Sequence, residues 1–471
     1  MSQLLADCIN DILGYLDRDK ITLRSCLLVN RLWCNISVKI LWSNVWNYDS
    51  SNYSTLIACL PDESKEILNI NGIIISPPTS KPPMFNYASF CKVLSDYHIK
   101  CGIERLLKNK SISPKDLTVK TVAQEIYKLL MNQISSLKTL HIDPLSMNII
   151  FTSYPGSQES LKYLSELCCR SNVYSEFFHQ LSQICYNIKA ICVVIDHHIS
   201  DGLMNLILSQ NKLKNLIFHQ SHDREVLKSI IPLLEKLSDN TSVKLGVYEI
   251  KNFIPLPFPK NLRELLLASN NGNFTEDTFK ELQRVIFPNL QVLIFSYLVP
   301  KIEHFNNFLE RNGENLRKLY LEDCTKALDL NLSISKFCPN LVVLSTSVSG
   351  YDDLKVIFVN CQHLESIKLI DQKMDMKELF NVIVNYSPKN FFKLIHHYDH
   401  QMELQLLPEV LEWFFMSWSN REQQKPFSLI IIDFLKSSKI MKDHEKKKII
   451  ENYIKLGVIR KFRFVVYNED Y

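Results

Sequence analysis

Histidine, cysteine and carboxylate clusters are the places in this 471-residue sequence where chemistry could sit. The richest are Asp196-His197-His198 and His396-His397-Tyr398-Asp399-His400. A metal ion needs ligands that converge on one point. Consecutive residues at the end of a strand point to opposite faces, so either run supplies two ligands at most. His444-Glu445 lacks the second histidine of a metalloprotease helix. The 13 cysteines include no Cys-x-x-Cys pair, which argues against structural zinc. They are scattered through apolar periodic segments, as free thiols of a reducing compartment are. No Gly-x-Ser-x-Gly, phosphate loop or dinucleotide fingerprint occurs, and there are only 10 glycines. The residues therefore predict no metal, no cofactor and no enzyme.

The sequence instead carries surfaces for binding. From Leu4 to Trp42 it spells three short amphipathic helices. Ile9, Ile12, Leu13 and Leu16 fall on one stripe. Asp19 is a natural N-cap for a second helix through Leu23, Cys26 and Leu27, and Asn30 for a third carrying Leu32, Trp33, Ile36, Ile40 and Leu41. So small a unit cannot bury all these apolar side chains in itself, so it must dock on the rest of the chain or on another protein.

The run Leu4-x-x-Asp7-x-Ile9-x-x-Ile12-Leu13-x-Tyr15-Leu16, followed by Cys26-x-x-Val29-Asn30-Arg31-x-Trp33 and Leu41-Trp42, resembles an F-box. The family's usual Pro after the first Leu is Leu5 here, and its usual Glu is Asp7. The resemblance implies an adaptor-binding module of an SCF-type ubiquitin ligase. It would contact a Skp-family adaptor through Leu4, Ile9, Ile12, Leu13, Leu16, Val29 and Trp33, and a cullin ligase through that adaptor.

The segment 46–133 reads as a helical connector with a stiff loop, Pro77-Pro78-Thr79-Ser80-Lys81-Pro82-Pro83. Phe90 to Leu107 and Thr121 to Met131 look helical. From Ser136 the chain repeats a template, as in Leu137-x-x-Leu140-x-Ile142, Ile188-x-x-Ile191-x-Val193, Leu213-x-x-Leu216-x-Phe218, Leu262-x-x-Leu265-x-Leu267, Leu290-x-x-Leu293-x-Phe295 and Leu316-x-x-Leu319-x-Leu321. Leu341 and Leu364 begin two more, and from Leu262 the steps are 28, 26, 25 and 23 residues. That is a leucine-rich-repeat period. Cys185, Cys338 and Cys361 each stand three residues ahead of a strand's first apolar residue, which resembles the cysteine-containing repeats of F-box proteins, including the expanded fungal families. Between Leu137 and Ile188 one repeat is missing or degenerate, and Val243 to Tyr248 is a strand in poor register.

The expected fold is thus α/β: a three-helix module over 1–45, the connector over 46–133, and over 134–471 a repeat solenoid with a parallel sheet lining its concave face. Template x positions alternate onto that face. Among them His219, Lys318, Tyr320, Glu322 and Lys368 are the expected contacts for a protein target. A face so mixed in charge, on a chain of net charge +4, gives no support to nucleic acid. A composition 46% hydrophobic and 22% charged, without a membrane-length apolar run or a signal-like N-terminus, predicts a folded protein of the cell interior, cytoplasmic or nuclear. The implied function is a substrate receptor for ubiquitination. The alternative is a repeat scaffold whose N-terminal helices only cap its own array.

Overall fold

The computed structural model describes residues 6–466 except 18, 77–78, 80, 144–146, 148, 197, 221–232, 234–235, 238–241, 249–260, 269–281, 297–299, 323–329, 372–373, 399–405, 423–424 and 434–443. Leu4 therefore lies outside the described residues. The chain divides into two compact units, Met1–His219 with Pro232–Thr241, and Gln220–Ile231 with Ser242–Tyr471. No helix among the described residues is long and apolar enough to cross a membrane.

The first unit opens with α1 (Ala6–Gly14), α2 (Lys20–Cys26) and α3 (Arg31–Leu41). Both predicted caps form. The Asp19 carboxylate accepts from the Thr22 amide at 3.0 Å, and Asn30 Oδ1 from the Trp33 amide at 2.9 Å. Ile9, Leu13, Leu23, Cys26 and Ile36 make a small core, with Leu16, Leu32, Trp33, Ile40 and Leu41 packed against it. Where α3 ends, Trp42 is buried against Tyr48 and Tyr87, and the Tyr48 hydroxyl donates to the Trp42 carbonyl at 2.7 Å. The next residue joins the sheet, because the Ser43 carbonyl accepts from the Lys92 and Val93 amides.

Five strands follow in chain order among the described residues of this unit: β1 (Val93–Ser95), β2 (Thr139–Ile142), β3 (Glu166–Arg170), β4 (Ala190–Ile195) and β5 (Asn215–Gln220). The stretch expected to be a helical connector supplies the first of them, since β1 pairs parallel with β2. Helix begins only at Asp96, where Ser95 turns the chain and its hydroxyl accepts from the His98 amide at 3.5 Å. The repeat missing from the sequence pattern is β3, built on Leu164, Leu167 and Cys169, with a thiol where the template wants an aliphatic residue. Leu94, Leu140, Leu167 and Ile191 form one buried ladder across the strands.

The second unit holds β6 (Ser242–Tyr248), β7 (Leu262–Ala268), β8 (Val292–Ser296), β9 (Lys318–Glu322), β10 (Val343–Ser347), β11 (Ser366–Asp371), β12 (Lys393–Tyr398), β13 (Phe427–Asp433) and β14 (Ile459–Val466), again parallel and in chain order. The poor register of β6 is a bulge between Val243 and Lys244. Inward positions stack from strand to strand as Leu265, Leu293, Leu319, Leu344, Ile367, Leu394 and Leu429, all buried. Stacking alone does not hold the repeats. The Asn340 amide donates to the Glu314 carbonyl at 3.0 Å and Asn315 to the Pro288 carbonyl, one repeat back. The cysteines do the same job with sulfur: Cys361 Sγ donates to the Cys338 carbonyl, and in the first unit Cys185 Sγ donates to the Leu161 carbonyl. Burial pushes both thiols up to about 12. These are core thiols, as the sequence pattern implies.

Candidate functional site

The outer surface of the three-helix unit is the first candidate. The stripe rule says which residues form the apolar side of a helix, and the structure says what that side meets. Ile9 and Leu13 are buried in the unit's own core, so the expectation that they face a partner is corrected: they shape the surface from beneath. Leu16 and Trp33 are half-buried against the same core. Of the predicted contact residues, Ile12 and Val29 reach solvent, at 52% and 56% exposure. Beside them in sequence stand three that the pattern did not select, Tyr15 at 90%, Ile21 at 81% and Leu28 at 88%. All five belong to α1, α2 and the turns that follow them. The exposed residues of α3, by contrast, are polar: Arg31, Asn35 and Lys39, spaced one helical turn apart. These exposed apolar side chains make the unit a candidate for an interaction surface. The readable signal was Leu28-Val29, two apolar residues past the end of a helix whose own stripe is complete at Cys26.

The solvent-facing rows of the second unit hold four of the five predicted target contacts. Lys318, Tyr320 and Glu322 alternate with the buried Leu319 and Leu321. Register puts Tyr320 in one row with Leu266, Ile294, Ser345 and Lys368. Tyr320 and Lys368 thus stand two strands apart, roughly 10 Å at sheet spacing, on either side of a buried Ser345. Burial first, then the carboxylates of Glu322 and Glu264, raise the Tyr320 hydroxyl above its ordinary value, so it stays a neutral donor. Lys244 pairs with Glu264 at 2.7 Å. The fifth contact, His219, belongs to the first unit.

The rows of the first unit carry a different chemistry. Ser95, His141, Cys168 and Cys192 are register partners on four successive strands. The Trp46 ring lies 4.9 Å from His141 and stacks on His98 at 5.5 Å. Cys168 donates a hydrogen bond to Cys192, which raises the Cys168 thiol and lowers that of Cys192. His219 is held below the usual imidazole range by burial. Arg170 grips Asp196 through two nitrogens, its Nε at 3.0 Å, and the Ser171 hydroxyl accepts from the Asp196 amide. Of the predicted histidine runs, His396 fills a buried inward position between Leu369 and Ile431, while His397 is on the other face. His197, Asp399 and His400 lie outside the described residues. Among the described residues no group of three or more His, Cys, Asp or Glu is placed to hold a metal ion.

No protein-family model matches the chain, and no curated protein matches it. Among solved structures it is similar to a chain of the yeast Rad7 and Elc1 complex, at 16% identity and a TM-score of 0.34, over 72% of this chain and 88% of that one. It is also similar to a chain of the TLR13–ssRNA13 complex, at 13% identity and a TM-score of 0.34, over 72% of this chain and 48% of that one. The chain's own strand order and register give it a leucine-rich-repeat architecture of parallel strands and intervening helices.

Proposed function

We propose that this chain is the substrate-recognition subunit of an SCF-type ubiquitin ligase. In this reading α1, α2 and the turns that follow them dock on a Skp-family adaptor, and the repeat strands hold a protein target. One observation carries it. The three helices complete a core of their own and still expose Ile12, Tyr15, Ile21, Leu28 and Val29. The F-box-like spacing of the same stretch supports it. The mechanism is proximity: target lysines are raised in effective concentration at an active site carried by another subunit, and this chain contributes no catalytic group.

The test is co-purification of the full chain with a Skp-family adaptor beside the double change Ile12→Asp and Leu28→Asp. Both side chains are exposed, so the helices should keep their circular dichroism while adaptor binding is lost. A wild-type chain that is folded and monomeric yet ignores the adaptor would overturn the proposal. It would favour the second reading, a repeat scaffold capped by its own helices. That reading has its own support in the chain leaving α3, which bonds beside β1 through the Ser43 carbonyl and an Asn44–Val93 bridge.

A further inference from the structure

The residue just before each strand of the first unit forms a row of its own. The Lys138 amide donates to the Lys92 carbonyl at 2.8 Å, Ser165 to Lys138 at 2.9 Å, Lys189 to Ser165 at 2.8 Å and Lys214 to Lys189 at 2.8 Å. Four of these five strand-entry residues are lysines, one sheet spacing or two apart. The turns before β3 and β5 add Lys162 and Lys212. Together Lys138, Lys162, Lys189 and Lys212 line a cleft of about 480 Å³ with Tyr163, Tyr186, Ser165 and Asn187. Among the described residues no carboxylate belongs to its lining. Lys162 alone of the four has a carboxylate partner among the ion pairs seen, Glu159, and both it and Lys138 sit over the Tyr163 ring. Lys138, Lys189 and Lys212 project as exposed side chains. The crowding has an electrostatic mark: the Lys92 amine, which donates to Ser136, is held below its ordinary value by burial and then by Lys138.

We infer that this cleft is a binding site for a compact, multiply phosphorylated anion. Its volume is that of a small-ligand cleft, not of a track for a long polymer. One carboxylate or one phosphate would leave like charges facing each other across the space, so the ligand must bring several negative charges within it. Lysine serves phosphate as a mobile point charge, and the Tyr163 hydroxyl and Asn187 amide in the lining are neutral groups that can donate beside it. The site is independent of the adaptor surface, and nothing in the proposed function requires it.

The test is calorimetric titration of the full chain with inorganic tripolyphosphate and with orthophosphate. The double change Lys189→Gln and Lys212→Gln is compared with a control at two exposed lysines of the second unit, Lys447→Gln and Lys448→Gln. Tripolyphosphate should bind well ahead of orthophosphate. The cleft pair should weaken it by about tenfold or more per lysine, while the control leaves it unchanged. All four lysines are solvent-facing, so folding should survive either pair, and circular dichroism checks this. Equal loss in both pairs would mean general charge attraction and would overturn the site. So would no binding, or a preference for a single-stranded oligonucleotide or an acidic peptide over tripolyphosphate.

Discussion

Cys168 and Cys192, register partners on neighbouring strands, share a hydrogen bond that raises the first thiol and lowers the second. Cys192, with its thiol lowered by that bond, should be alkylated by iodoacetamide ahead of Cys168 near pH 8. Cys168→Ala should slow modification of Cys192, which peptide mass spectrometry reads directly. The two imidazoles nearby make a second prediction. His98 and His219 are both depressed below the ordinary value of 6.5, with burial the leading cause. The unfolded chain then binds more protons than the folded one as pH falls through and below 6.5. Their contribution to stability is complete above that pH and is lost below it. The urea midpoint of the first unit should therefore drop between pH 7.5 and 6, and His98→Gln should flatten the drop. Cys192 and His219 could be placed on the solvent side from the strand template alone. Cys168 could not, because Cys169 stands at the third apolar position and hides the repeat.

Helices α1 to α3 show where a periodic pattern stops being informative. Asp19 and Asn30 were readable as caps because capping is local chemistry between a side chain and amides three residues on. The destination of the apolar stripe was not readable. Ile12 and Leu13 are neighbours in sequence and equally apolar, yet one is solvent-facing and the other sealed, and only the packing of α3 decides between them. Leu13→Ala should accordingly cost about 2–5 kcal/mol and melt this unit, whereas a change at Ile12 should leave its melting unmoved. Strand β1 was invisible for a different reason: three residues are too few for an alternating signal, and a helix follows at once. Asn312 was missed as well, since it is outside the template. Its side chain is buried, accepts from the Phe287 amide at 2.7 Å and donates to the Val285 and Phe308 carbonyls. Asn312→Ala should destabilise the second unit by about 3 kcal/mol in a denaturant titration, because it removes three hydrogen bonds from a buried site.

Over the whole chain, the repeat period was legible from Leu262 onward because the same leucine spacing recurs where each strand must meet the last. Repeats that contact only their neighbours fail locally. Leu344→Ala should raise amide exchange most in β9, β10 and β11 and least in β14, and exchange mass spectrometry of the intact chain would show whether the loss stays confined. Within each unit, strand order follows chain order, and every strand pairs with the one made just before it. On the ribosome this means that each new strand leaves the exit tunnel to find its template already built. Among the described strands of each unit, none has to wait, with its apolar residues exposed, for a partner hundreds of codons away. A long protein of this kind can be completed at the pace of translation, and a chain cut short by a premature stop would still keep the repeats made before it.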